Sequence, residues 1–138
     1  MLSFITAPEL MPILEELQRH EPIFHHPEFG TRRSDYEAMT HPDFWEVGAS
    51  GRRYSRKFVL DTLESRLPDP AEDQWVTSDF QCREIALGNY LITYTLAQGP
   101  RITRRATLWR LTRTGWQALY HQGTIVEGSP EGNPEGNP

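Results

Sequence analysis

Two ionisable residues sit in stretches that read as strands among apolar neighbours, where a titratable group can do chemistry. Glu46 lies in Asp-Phe-Trp-Glu-Val (43–47), between Trp45 and Val47. Strand alternation puts Phe44, Glu46 and Gly48 on one face, and Trp45 and Val47 on the other. A carboxylate walled by aromatic rings loses hydration and keeps its proton to higher pH, the condition for a general base near neutrality. An arginine contact would reverse that shift and make Glu46 a structural anion, and residues 85–126 offer five arginines and no acid. His121 lies in the final strand candidate. Simple alternation there groups Trp116, Ala118, Tyr120 and Gln122 on one face, and Gln117, Leu119, His121 and Gly123 on the other. A histidine in this setting is either a satisfied core residue or an acid–base and hydrogen-bonding group of a pocket. Glu46 and His121 are therefore the catalytic candidates. Tyr54, Tyr94, Trp109 and Tyr120 are the candidates for ligand contact, with the core as the competing place for the aromatic ones.

Other polar groups carry less. His25-His26 with Glu28 invites a metal reading, but adjacent side chains of an extended segment point apart, and Pro27 favours that extension. The sequence has no His-Glu-x-x-His, Walker or Gly-x-Gly-x-x-Gly pattern, so neither metal nor cofactor is expected. Cys82 stands alone, which excludes an intramolecular disulfide, and no base neighbours it to make it a nucleophile. Arg101, Arg104, Arg105, Arg110 and Arg113 would fall on both faces of a hairpin, whereas a nucleic-acid stripe belongs on one. Salt bridging, a dimer rim or the mouth of an anion site suits them better.

The elements that must position these residues follow from punctuation. Three helices are expected first. Thr6 and Glu9 have capping-box spacing ahead of Leu10, Leu14 and Leu17, with Pro12 starting or bending that helix. Ser34 and Glu37 form a second box, with Pro42 as the stop. Ser55 caps a third helix whose stripe is Val59, Leu63 and Leu67, ended by Pro68. Between the second and third, 43–47 reads as a strand and Gly48–Gly51 as its turn. Four strands follow at 76–87, 90–98, 102–112 and 116–126, separated by Gly88-Asn89, Gly99-Pro100 and Thr114-Gly115. Helices followed by one long-stranded antiparallel meander predict an α+β fold, with the sheet twisted and curved around its helices.

At 138 residues the chain suits a single domain, placed at 1–126. Residues 127–138 carry a Glu-Gly-Asn-Pro repeat almost without apolar side chains and read as a disordered tail. A net charge of −5 argues against a generic nucleic-acid binder. No apolar run approaches the roughly 18–20 residues of a membrane span, and no signal-peptide pattern opens the chain, so a cytoplasmic location is expected. Long strands rich in Trp, Tyr and Leu leave more apolar area than three helices cover, which predicts a homodimer through the outer sheet face.

Three segments carry a resemblance: 43–56 (Asp-Phe-Trp-Glu-Val-Gly-Ala-Ser-Gly-Arg-Arg-Tyr-Ser-Arg), 104–110 (Arg-Arg-Ala-Thr-Leu-Trp-Arg) and 115–124 (Gly-Trp-Gln-Ala-Leu-Tyr-His-Gln-Gly-Thr). Together they resemble the nuclear transport factor 2-like superfamily, and within it the SnoaL-like branch named for domain of unknown function 4440. The resemblance spans roughly residues 9–126. It implies a cystatin-like cone: a bent antiparallel sheet wrapped around N-terminal helices and open at one end into a pocket. It implies several functions at once, because relatives include isomerases, dehydratases, polyketide cyclases, binding modules and association domains. The expectation is a domain binding an unidentified small molecule. The alternatives are a cofactor-independent acid–base enzyme, with Glu46 as base beside Tyr54 or Tyr94, and a protein-interaction or immunity-type module. A filled cone interior would favour the interaction module, and an open cavity holding an unpaired carboxylate would favour the enzyme.

Overall fold

Prolines and caps set where the helices begin. A computed structural model describes residues 4–131. Helix α1 (Met11–Gln18) carries Pro12 in its first turn, where no intrahelical N–H is needed, and buries Leu14 and Leu17. The Thr6–Glu9 box does not form: the Thr6 hydroxyl instead accepts from the Cys82 backbone N–H at 3.0 Å, tying the entering chain to the sheet. Helix α2 (Arg33–Ala38) also departs from the expected box. The Asp35 carboxylate accepts from the Arg32 N–H at 3.0 Å, which closes the first turn two residues earlier than Ser34 would. Pro42 does not stop this helix. It lies inside strand β1 (Thr40–Val47), in an irregular stretch between Thr40 and Trp45 where a missing N–H costs no ladder bond. Helix α3 (Arg56–Ser65) is capped as expected, the Phe58 N–H donating to Ser55 Oγ at 3.1 Å. It buries Val59, Leu60 and Leu63, while Leu67 lies beyond its end and is 84% exposed. No helix among the described residues is long and apolar enough to cross a membrane.

The remaining strands are β2 (Arg53–Ser55), β3 (Val76–Ala86), β4 (Asn89–Gln98), β5 (Arg101–Thr112) and β6 (Gly115–Ile125). Tight turns join the last four, with Gly88 at φ +73° and Gly99 at φ +61°, a backbone region that side chains disfavour. The six strands form one sheet in the order β2-β1-β6-β5-β4-β3, and the α+β class stands as expected. Four of its five joins are antiparallel. The fifth, β1 to β6, is parallel and corrects the all-antiparallel expectation at that join. Three successive reversals fix the direction in which β6 returns, and the long intervening chain supplies the crossover that parallel pairing requires.

Two irregularities decide which side chains face the helices. In β6, Tyr120 pairs with Leu108 but Ala118 pairs with Trp109, so Leu119 is an extra residue. The bulge inverts the alternation beyond it. Trp116, Ala118, His121 and Gly123 consequently share the buried inner face, and Tyr120 and Gln122 turn to the other. The sequence-based grouping, which set His121 opposite Trp116, is corrected by this one residue. A second bulge sits in β3 between Ser78 and Gln81, with Asp79 at φ +59°. The core lies between the inner face and the helices and includes Leu14, Leu17, Phe24, Phe44, Val59, Leu63, Ile92 and Trp109. Ser129, from the segment expected to be a disordered tail, accepts from the Ile102 N–H at 2.6 Å. The rest of that segment, 132–138, lies outside the described residues.

Candidate functional site

Strand register assembles the site. Cα partners run across all six strands in the row Tyr54–Glu46–His121–Thr107–Ile92–Cys82, and every member is buried. The next inner row holds Gly123, Arg105 and Tyr94. Polar groups thus occupy the middle of an otherwise apolar inner face.

Glu46 is 0% exposed and His121 2%. Glu46 Oε2 lies 2.9 Å from His121 Nδ1, close enough for the imidazole N–H to donate to the carboxylate. Glu46 therefore partners a histidine rather than an arginine. With Nδ1 committed to Glu46, His121 Nε2 is the ring nitrogen left unengaged among the described residues. Glu46 Oε1, His121 Nε2 and Thr107 Oγ1 are all buried with no hydrogen-bond partner among the described residues. Orphaned buried polar atoms are rare, and three together call for a functional explanation.

A narrow pocket has His121 in its wall, lined also by Pro22, His25, Trp75, Tyr94, Gln98 and Arg105. Its cavity volume is about 10 Å³, room for roughly one water-sized group at the floor. Glu46 does not line it and stands behind His121. Arg105 is 7% exposed, and its Nε donates to Thr103 Oγ1 at 2.9 Å.

A buried carboxylate that the sequence reading missed anchors the other side. Glu21, 2% exposed, accepts from the Ile23 N–H at 3.1 Å and from the Tyr94 hydroxyl and Trp109 Nε1 at 2.9 Å each. Burial first, and then the Glu21 charge, raises the Tyr94 phenol well above its ordinary pKa. Trp109 is wholly buried and serves the core through this clasp. Tyr54 is buried and stacks on Phe58 at 4.9 Å, beside Glu46 in register. Tyr120 lies on the far face, its ring 4.6 Å from Trp45. The fold therefore gathers Glu46, His121, Tyr54 and Tyr94 on one face, commits Trp109 to the core and sends Tyr120 outward. Arg105 was legible only as a member of the arginine cluster. The alternation Thr103-x-Arg105-x-Thr107-x-Trp109 was the signal that it faces inward with them.

The adjacent histidines diverge. His26 Nε2 lies 2.6 Å from the Glu21 carbonyl, while His25 contacts Glu72, and Arg66 approaches the same His25 nitrogen at 3.3 Å. Burial, followed by the charges of Arg66 and Arg105, lowers His25 to about pKa 3, so the neutral imidazole donates to Glu72. A depressed folded-state pKa stabilises the protein above the unfolded value of about 6.5, and that contribution is lost as pH falls toward 3. In urea unfolding between pH 6 and pH 5, wild type should lose up to about 1.4 kcal/mol more than His25→Asn. Equal slopes would refute a neutral buried His25. Burial, with Glu84 nearby, pushes the Cys82 thiol up to about 11, which disfavours the thiolate.

The face away from the helices carries a wider cleft of about 610 Å³, bordered by Asp79, Thr95, Arg104, Gln122 and Thr124, with Tyr94 and Arg105 contributing to its wall as well. Arg104 lies 3.5 Å from Asp79 there, opposite in facing to Arg105. Beside the cleft runs an apolar row in register, Leu91–Leu108–Tyr120–Trp45.

No protein-family model matches the sequence, and no curated protein matches it. Solved structures do. A protein of unknown function in the DUF3225 family from Pectobacterium atrosepticum aligns with TM-score 0.65 at 12% identity, over 88% of this chain and 94% of that one. An NTF2-like protein from Cytophaga hutchinsonii aligns with TM-score 0.59 at 12% identity, over 88% and 100%. The CaMKII hub homology domain of Chlamydomonas reinhardtii aligns with TM-score 0.60 at 14% identity, over 84% and 99%. The fold is NTF2-like, of the cystatin-like type.

Proposed function

We propose that this chain is a small-molecule-binding domain whose ligand reaches the floor of the inner pocket. One observation carries the reading: His121 lines the pocket, its Nε2 is buried and lacks a partner among the described residues, and Glu46 holds the opposite ring nitrogen. Because the floor admits about one water-sized group, only a small head group of the ligand enters. The rest of it lies at the mouth against Pro22, Trp75 and Gln98. NMR titration with a set of small acids, alcohols and amides tests this. Saturable shifts centred on Tyr94, Trp75 and His121 are expected, and shifts confined to the far-face cleft, or none, would refute it.

The same pair supports a second reading, an acid–base enzyme of the isomerase, dehydratase or cyclase type. A carboxylate holding Nδ1 leaves Nε2 as the proton acceptor, with Glu46 as the positioning residue. An enzyme of this kind should speed deuterium entry into the methyl group of pyruvate in heavy water. Exchange at the buffer rate speaks for binding alone.

A homodimer through the far face completes the proposal. The row Leu91–Leu108–Tyr120–Trp45 offers contiguous apolar area across four strands, with Trp45 44% exposed. The likeness to a hub homology domain is in keeping with assembly through this fold. Sedimentation at micromolar concentration should give twice the 16.0 kDa chain mass, and a monomer would overturn the dimer.

A further inference from the structure

We infer that the inner pocket takes an anionic head group, a carboxylate, on the Arg105 guanidinium. The inference rests on the reading of this pocket as a ligand site and names the chemistry of what enters it. Arg105 is 7% exposed, and the hydrogen bond from its Nε to Thr103 Oγ1 is its one side-chain bond among the described residues. No described carboxylate comes within ion-pair distance of it. Taking a guanidinium out of water is costly unless an anion compensates it.

The nearby acids are committed elsewhere. Glu21 accepts from Ile23, Tyr94 and Trp109, Glu46 is engaged with His121, and Glu72 is held by His25. The field of Arg105 reaches Arg101, a second cation, and the neutral His25, beside which the Arg66 guanidinium stands. The pocket thus holds a buried cation with no counter-ion among the described residues, and Tyr94 and His121 share its wall.

The backbone makes room for that cation. Gly123 is the register partner of Arg105, and a Cβ there would stand 3.3 Å from Arg105 Cζ and 3.4 Å from Nε. The guanidinium therefore lies flat against a bare stretch of β6. Its remaining N–H donors offer the planar fork that carboxylates match.

The test uses acetate and its neutral isostere acetamide as probes, at constant ionic strength, followed by backbone NMR. Acetate should shift the Gly123, Arg105 and Thr107 amides saturably at millimolar concentration, and acetamide should not. Arg105→Gln should weaken acetate at least tenfold, with Arg104→Gln on the far face leaving it unchanged. Should Arg105→Gln fail to fold, Gly123→Ala decides, because it moves the guanidinium while keeping its charge. Weaker acetate binding supports the anion site and unchanged binding overturns it. Equal shifts from acetate and acetamide would overturn the anion preference while leaving the pocket as a ligand site. Silence from both probes, together with the wider set of small molecules, would overturn both readings.

Discussion

Glu46→Ala should lower the unfolding free energy by about 3–5 kcal/mol in urea denaturation at pH 7. The side chain is fully enclosed beside Phe44 and accepts from His121 Nδ1 at 2.9 Å. Alanine leaves a cavity and strips a buried imidazole N–H of its acceptor, so two penalties fall together. Glu46→Gln separates shape from charge. Its amide oxygen still accepts from Nδ1, and its NH2 takes the place of Oε1, which has no protein partner among the described residues. The cost should stay within about 1.5 kcal/mol, in the range of one altered hydrogen bond, while probe binding at His121 changes. If glutamine costs as much as alanine, the carboxylate charge is structural, and the proposed site fails with it.

Glu21→Ala should be as damaging, again about 3–5 kcal/mol, for a different reason. One carboxylate gathers a backbone N–H, a phenol and an indole from three places in the chain. Its loss orphans three buried donors, at about 1–3 kcal/mol each where no other acceptor replaces it, and leaves a cavity. Glu21→Gln keeps the size but turns an N–H2 toward either the phenol or the indole N–H, so about 2–3 kcal/mol should still be lost. The clasp also has a signature at high pH. Tyr94 has a raised folded-state pKa, so its contribution is complete below the unfolded value of about 10 and is lost above it. Tyr94→Phe should flatten the alkaline limb of the stability profile. A mutant that melts at high pH as steeply as wild type would show that the phenol is not the group responsible.

Local chemistry made much of the fold readable. The meander was visible because glycine-containing turns interrupt long strand-forming runs, and four observed strands lie within a residue or two of the expected ones. Ser55 was readable as a cap because the bond it accepts is three residues away. Pro42 was not readable as a strand residue, because the irregular pairing that tolerates it belongs to its neighbour β6. Within the site, Glu46 and His121 stood out by type and setting, since ionisable groups in apolar strands are costly unless used.

Their meeting could not be read from the chain. Residues 46 and 121 become neighbours through a parallel join between strands, and a one-residue bulge at Leu119 turns His121 inward. Periodicity is a local property, and a single extra residue reverses it for everything downstream. Glu21 gave no local signal either, because the phenol and indole that distinguish it lie far along the sequence, beyond its one local bond to the Ile23 N–H. Arg105 could be read as one of five arginines without acids. Only packing, with Gly123 bare beneath it and every nearby carboxylate engaged by other donors, made it the buried cation of the site. Composition and spacing thus determined the elements and the candidate groups. Register and burial decided which groups share a pocket, because those depend on contacts between residues that the chain keeps far apart.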